Sequence, residues 1–282
     1  MKTYSNSTFS IGGNLKVNRM GFGAMRITGE GILGPPADKD EAIRVLKKTV
    51  ELGINLIDTA DSYGPNVSEE LIAEALFPYP KDLIIATKGG LTRTGPNQWP
   101  VNSHPDHLKK VLEGSLKRLK LERIDLYQLH RIDPTVPFED SLAFLKKAQE
   151  EGLIRYIGLS EVSKQDIKKA QQYVNIVSVQ NKYSIDNRTW EEELKYCEQN
   201  NIAFIPWYPL NAGNVNTIEV LNKTGAKYNA SAHQIALAWL LHHSPNILLI
   251  PGTSKVKHLE ENYKAVNIKL SDEDMDLLNR LA

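Results

Sequence analysis

The chain has one cysteine, Cys197, in 282 residues. No intrachain disulfide can staple it, and such scarcity fits a reducing compartment. It has no excess of one charge either: 34 Lys and Arg balance 34 Asp and Glu, leaving no global field to attract nucleic acid or an anionic membrane. Long apolar runs are also missing. Met1 to Leu15 is polar with no signal-peptide core, and nothing later reaches the ~18 apolar residues of a membrane span. The expectation is a cytoplasmic protein without nucleic-acid or membrane partners, for which a monomer is compatible. Metal-ligand spacing is absent as well. His104 and His107 flank Pro105 at a helix start, and His242 and His243 end another helix; both pairs read as solvated helix ends, not zinc ligands, and Cys197 reads as packing.

What is present is regular alternation. After a hairpin expected around Gly12-Gly13, eight short apolar runs read as strands: Val17–Phe22, Ile54–Asp58, Leu83–Lys88, Ile124–Leu129, Ile154–Leu159, Ile176–Val179, Ala203–Trp207 and Ile247–Ile250. Amphipathic stretches separate them, among them Asp40–Leu52, Asp106–Leu119, Phe138–Glu151, Lys164–Tyr173, Trp190–Gln199, Ser231–His242 and Val256–Ala265, with helical period. Runs such as Leu83-Ile84-Ile85-Ala86 imply burial on both faces, as in a parallel sheet wrapped by helices. An open Rossmann-type sheet is the competitor, and eight regular units favour closure. The fold class is therefore α/β, a single (β/α)8 barrel domain over residues 1–282, with an N-terminal β-hairpin and a C-terminal extra helix over Ser271–Ala282. The stretch Thr217–Lys227 reads as a helical insertion after the seventh strand. Gly29-Glu30-Gly31-Ile32-Leu33-Gly34 spells G-x-G-x-x-G, but Pro35-Pro36 follows and the next helix begins near Asp40. No helix can start inside the motif to present amides to a pyrophosphate, so it reads as a mobile loop over the barrel mouth.

Four ionisable residues follow strand ends. Asp58 ends the second strand, with Tyr63 five residues beyond; Lys88 ends the third; His130 follows the fourth. Strand C-termini converge at one face of a parallel barrel, so these groups can share a pocket. A lysine after four apolar residues needs a carboxylate to stay charged, and Asp58 on the neighbouring strand can supply it. A protonated Lys88 would favour the phenolate of Tyr63 and lower its pKa toward working pH, making Tyr63 the general acid. Donors from Tyr63 and a neutral His130 would stabilise negative charge growing on a carbonyl oxygen. None of the four is a reductant, so a hydride-carrying cofactor is implied.

These residues resemble the aldo-keto reductase superfamily across essentially the whole chain. The likeness lies in Gly21-Phe22-Gly23, the run Asn55 to Gly64, Thr87-Lys88, Leu129-His130, Gly158-Leu159-Ser160, Gln180-Asn181-Lys182-Tyr183 and Ile250-Pro251-Gly252-Thr253-Ser254. The resemblance implies a (β/α)8 barrel, NADP(H) bound across the strand C-termini, and Asp58, Tyr63, Lys88 and His130 as the catalytic tetrad. It implies that Ser160 and Gln180 hold the nicotinamide carboxamide and that Trp207 stacks on its ring. Pro209 and Leu210, in the same run, join the cofactor residues. Thr253, Ser254, Lys255, His258, Glu261 and Asn262 match positions that hold the 2′-phosphate and adenine. Glu161 stands where many members have Asn, and Gly252 and His258 where better-known reductases have Lys and Arg. The narrower likeness is to the bacterial branch containing pyridoxal reductases.

The substrate expected is a small carbonyl compound, pyridoxal first, met by Arg26, Gln98 and Trp99 in loops bordering the mouth. Lys255, at the start of the final barrel helix, adds a cation to amides and hydroxyls that suit a phosphate, so NADPH should be preferred over NADH. Two rivals keep the fold. One is a catalytically slow NADP(H)-binding regulatory subunit; the other is a Schiff-base aldolase using Lys88, which a charged Asp58–Lys88 pair opposes.

Overall fold

A computed structural model describes residues 8–209 and 215–281. The chain begins with the antiparallel hairpin β1 (Thr8–Ile11) and β2 (Leu15–Asn18). Seven parallel strands follow in sequence order: β3 (Phe22–Gly23), β4 (Leu56–Asp58), β5 (Ile84–Gly89), β6 (Ile124–Leu129), β7 (Ile154–Ser160), β8 (Ile176–Gln180) and β9 (Ala203–Phe204). The eighth run closes the ring through two isolated parallel bridges, Phe204 to Ile247 and Met20 to Leu249. Leu248 N donates to Phe204 O at 2.9 Å, and Gly21 N to Leu249 O at 2.7 Å. The eight expected units are therefore present. The first one differs from expectation, because Val17–Phe22 spans an arm of the hairpin and the approach to β3.

The helices are α1 (Lys39–Glu51), α2 (Val67–Leu76), α3 (Pro105–Leu119), α4 (Phe138–Glu150), α5 (Lys164–Ala170), α6 (Glu191–Gln199), α7 (Val215–Tyr228), α8 (Ala232–His243), α9 (Val256–Tyr263) and α10 (Asp272–Leu278). Their starts follow local chemistry. The Asp38 side chain accepts from Glu41 N ahead of α1, while Ser163 and Ser231 open α5 and α8 with capping boxes, satisfying amides that have no intrahelical partner. α7 lies between β9 and α8, where the insertion was expected, and α10 is the extra C-terminal helix. No helix among the described residues is long and apolar enough to cross a membrane.

Strand alternation then sorts the side chains. Leu56, Ile84, Ala86 and Leu126 pack with Ile205, Leu248 and Ile250 inside the barrel, and Ile11, Leu15 and Val17 of the hairpin join that cluster. Ile57, Ile85 and Tyr127, one residue out of phase, belong to the clusters under the helices. The same parity that turns Leu56, Ala86 and Leu126 inward also turns Asp58, Lys88 and Gln128 inward, two residues nearer the C-terminal rim.

Candidate active site

Lys88 is fully buried, and its ammonium is held on three sides. Nζ lies 2.6 Å from Asp58 Oδ2, 2.8 Å from the Thr59 carbonyl and 3.4 Å from the Tyr63 hydroxyl. The His130 ring meets Tyr63 edge-on, with centroids 5.9 Å apart. The four residues expected to converge do so.

Local backbone structure brings Tyr63 back over the strand end. Thr59 N donates to Ala86 O and Asp61 N to Lys88 O, so the chain leaving β4 continues alongside β5. Gly64 then takes φ +104°, and a Cβ there would stand 2.4 Å from Val67 Cβ; only glycine permits the turn that carries Tyr63 into α2.

Burial sets the protonation states. It pushes the Tyr63 phenol above the ordinary tyrosine value, with Lys88 opposing and Asp58 reinforcing. Sequence reasoning expected a net lowering by Lys88; the cation does pull that way, but desolvation outweighs it. The phenol is therefore protonated at neutral pH. For Lys88, burial alone would lower the pKa, yet Asp58 and Tyr63 overcome it and leave the ammonium raised. His130 falls well below the ordinary histidine value through burial first, then through Lys88 and Arg131. It is neutral, as expected, and its Nδ1 is buried without a hydrogen-bond partner among the described residues.

Around this group lie residues the sequence singled out less clearly or not at all. Gln128, buried in β6, donates to Asp58 Oδ1 at 3.1 Å, and Gln180 donates to the same oxygen at 2.9 Å. The signal for Gln128 was a polar residue at an inward position, two before His130. Ser160 is buried and accepts from Arg131. Trp207 is half-buried at the rim, its indole N–H donating to Glu161 at 2.6 Å, and the same Glu161 oxygen accepts from Lys182 N at 2.6 Å. Glu161, at the Asn position of the resemblance, thus fixes the indole. Pro209 is buried; Leu210 lies outside the described residues.

Thr253 is buried, and its hydroxyl accepts from Lys255 N at 3.1 Å. Ser254, Lys255 and His258 are exposed, while Glu261 and Asn262 are half-buried. Lys255 caps α9 without a side-chain hydrogen bond. Sequence reasoning did not foresee that the first α9 amide, Val256 N, already donates to Glu41 of α1 at 3.0 Å. That bond holds the Glu41 carboxyl below its usual range, helped by Arg44.

The three residues expected to border a substrate differ in their surroundings. Trp99 meets Tyr63 edge-on at 6.2 Å between centroids and lies 3.7 Å beneath the Arg93 guanidinium. Gln98 sits in the same loop but is exposed, and its side chain accepts from Thr94. Arg26 is exposed, with its Cγ 3.5 Å from where a Cβ on Gly252 would stand, beside the segment that leads to Thr253. The Gly29–Gly34 loop does cover the mouth, with Ile32 packed by Tyr63, but it is tied down. Leu33 bridges to Gly64, and Arg93 donates to the carbonyls of Gly31 and Ile32.

Two histidine readings change. His243 does not end a solvated helix: it stacks on Trp239 at 4.4 Å and lies 3.0 Å from the Tyr183 hydroxyl and 3.3 Å from Glu191. His107 Nε2 is buried without a partner among the described residues, and burial lowers the ring's pKa.

The structure is thus a closed parallel barrel with an Asp–Lys–Tyr–His cluster at the C-terminal rim of its strands, the face where barrels of this kind carry their sites. The sequence profile of the Aldo/keto reductase family matches residues 19–282, and the chain belongs to that family. It is 55% identical over 262 residues to an uncharacterized oxidoreductase of Schizosaccharomyces pombe, covering 93% of this chain and 85% of that one. It is 40% identical over 284 residues to pyridoxine 4-dehydrogenase of Escherichia coli, covering 99% of each. A solved thermostable aldo-keto reductase, Tm1743 in complex with the inhibitor epalrestat, superposes with a TM-score of 0.84 at 34% identity, over 95% of this chain and 96% of that one.

Proposed function

We propose that this protein is an NADPH-dependent carbonyl reductase that converts a small aldehyde or ketone to an alcohol, with Tyr63 as the general acid. The observation that carries the reading is the buried Lys88 ammonium between Asp58 at 2.6 Å and the Tyr63 hydroxyl at 3.4 Å. Bound at the barrel mouth, the nicotinamide supplies the hydride. The residues present fit such a cofactor. Trp207 offers a ring locked by Glu161, Ser160 and Gln180 offer buried polar groups nearby, and Lys255 offers an exposed cation beside the Thr253 turn.

The chain's own part in the reaction is proton management. Tyr63 holds its proton at neutral pH because burial raises its pKa, and it releases that proton to the oxygen on which charge develops. Lys88 stabilises the phenolate left behind, and Asp58, fixed by Gln128 and Gln180, keeps Lys88 charged. Neutral His130 orients the same oxygen as a hydrogen-bond donor. Catalysis by general acid and preorganised donors needs this geometry before substrate arrives, and burial of the cluster supplies it.

Pyridoxal is the first substrate to test, on the strength of the E. coli relative's stated activity toward pyridoxine. The test is steady-state oxidation of NADPH and NADH against a panel of aldehydes and ketones. Tight NADPH binding with no turnover on the whole panel would replace this reading with the regulatory one.

A further inference from the structure

One guanidinium at the barrel mouth has no part in the proton transfer proposed above. Arg131 directly follows His130 at the end of β6, and its side chain is half-buried. Nη1 donates to the His130 carbonyl at 2.6 Å and to Ser160 Oγ at 2.9 Å, both neutral acceptors. Its Cζ stands 5.9 Å from the Trp207 ring centroid.

Buried cations of this barrel are neutralised or held in different ways: Arg19 donates to the carbonyls of Ile247, Leu241 and Ser244, while two others have carboxylates in contact. Lys88 pairs with Asp58 at 2.6 Å and Arg118 with Glu69 at 2.7 Å. Arg131 has no salt bridge among the described residues. Glu161 is close enough to favour its charge, but the Glu161 oxygen Oε1 is taken by Trp207 Nε1 and Lys182 N. Burial pulls the Arg131 pKa down, and the field of Arg131 in turn reaches both Tyr63 and His130. A cation drawn into the protein without a carboxylate is costly to keep. Such a group at the strand ends, within reach of a proton donor's field, marks a place where a ligand supplies the missing charge.

We propose that Arg131 is a substrate-specificity residue that receives an acidic oxygen carried next to the carbonyl being reduced. The preferred substrates are then aldehydes or ketones with an ionised group on the adjacent carbon skeleton, such as an ortho-phenolate or a carboxylate. The inference rests on the carbonyl-reductase reading of the site. Tyr63 and His130 take the carbonyl oxygen; Arg131, one residue past His130, is offset to take a neighbouring one. A planar fork of donors suits a carboxylate or phenolate better than a point charge does. Pyridoxal, which carries a hydroxyl beside its aldehyde, belongs to this class. The competing role for Arg131 is to hold the cofactor through Ser160 and Trp207.

The test compares 2-carboxybenzaldehyde with benzaldehyde, and pyridoxal with pyridine-4-carbaldehyde, in the unmodified protein, Arg131→Leu and Arg131→Lys. NADPH affinity is measured by calorimetry alongside. The unmodified protein should prefer the acid-bearing member of each pair in kcat/KM. Loss of one charge-assisted contact should lower the Arg131→Leu ratio of acid-bearing to neutral substrate by roughly 10- to 100-fold, mainly through KM, with partial recovery in Arg131→Lys. Benzoate should also inhibit the unmodified protein more tightly than benzyl alcohol does, a measurement that needs no variant to fold. Equal losses on both members of a pair, a matching rise in the NADPH dissociation constant, or no preference for benzoate would overturn the inference. Turnover of neutral aldehydes without discrimination would overturn it while leaving the reductase reading intact. Absence of turnover on every aldehyde would remove that reading itself and this inference with it.

Discussion

Replacing Tyr63 by Phe separates chemistry from stability, because the structure assigns the hydroxyl a large role in one and a small role in the other. The ring stays, and with it the edge-on contacts to Trp99 and His130. The lost polar contact is the longest of three at Lys88 Nζ, 3.4 Å against 2.6 Å to Asp58 and 2.8 Å to Thr59 O. The ammonium keeps both short partners, so the folding free energy should change by no more than about 1 kcal/mol. Removing a general acid, by contrast, should cut kcat by ~10²- to 10⁴-fold, about 2.7–5.4 kcal/mol of barrier. Cofactor affinity should stay within a small factor. The assay is NADPH absorbance under saturating aldehyde, paired with urea unfolding and calorimetric titration of NADPH. In the unmodified protein, kcat for reduction should hold through neutral pH and fall only at alkaline pH, as the raised phenol pKa is passed. A variant with near-normal kcat, or one whose lost activity tracks lost stability, would refute the role given to Tyr63.

Lys88→Met strands Asp58 in the interior with only the amides of Gln128 and Gln180, and breaking a buried pair in this way should cost ~3–5 kcal/mol in urea unfolding as well as abolish turnover. Lys255→Ala should weaken NADPH binding by roughly 10- to 100-fold while barely affecting NADH. Conversely, Glu41→Gln removes a negative charge from the start of α9 and should raise the NADPH-to-NADH affinity ratio several-fold, about 1 kcal/mol in binding free energies measured by calorimetry. The Glu191 carboxyl is lowered to about 2 by His243 first, with burial opposing and Tyr183 adding to the lowering. A depressed carboxyl contributes stability above its unfolded pKa of about 4.3 and loses it as pH falls toward the folded value. Glu191→Gln should therefore flatten the acid limb of the stability curve between roughly pH 4.5 and 2, by on the order of 1–2 kcal/mol after screening, and an unchanged limb would exclude the contact as its source.

Much of the fold was legible because it depends on short-range pattern. The runs Leu83–Lys88 and Ile124–Leu129 are apolar enough to be buried on both faces, and the observed strands Ile84–Gly89 and Ile124–Leu129 differ from them by at most a residue at an end. The first run was misplaced because a hairpin arm and a barrel strand share β composition and only pairing tells them apart. Asp58, Tyr63, Lys88 and His130 were legible as a group because strand ends in a parallel barrel meet at one rim whatever the loops do.

What the sequence by itself determined was the order of elements, the inward parity of Asp58 and Lys88, and the chemical types brought to the rim. Only the tertiary structure decided who touches whom. It joined Gln128 and Gln180 on one oxygen of Asp58, locked Trp207 with Glu161, set Glu41 on the first amide of α9, and left Arg131 without a salt bridge among the described residues. It also reversed the net shift of the Tyr63 phenol, because desolvation is a property of the packed surroundings and no neighbour in sequence reports it.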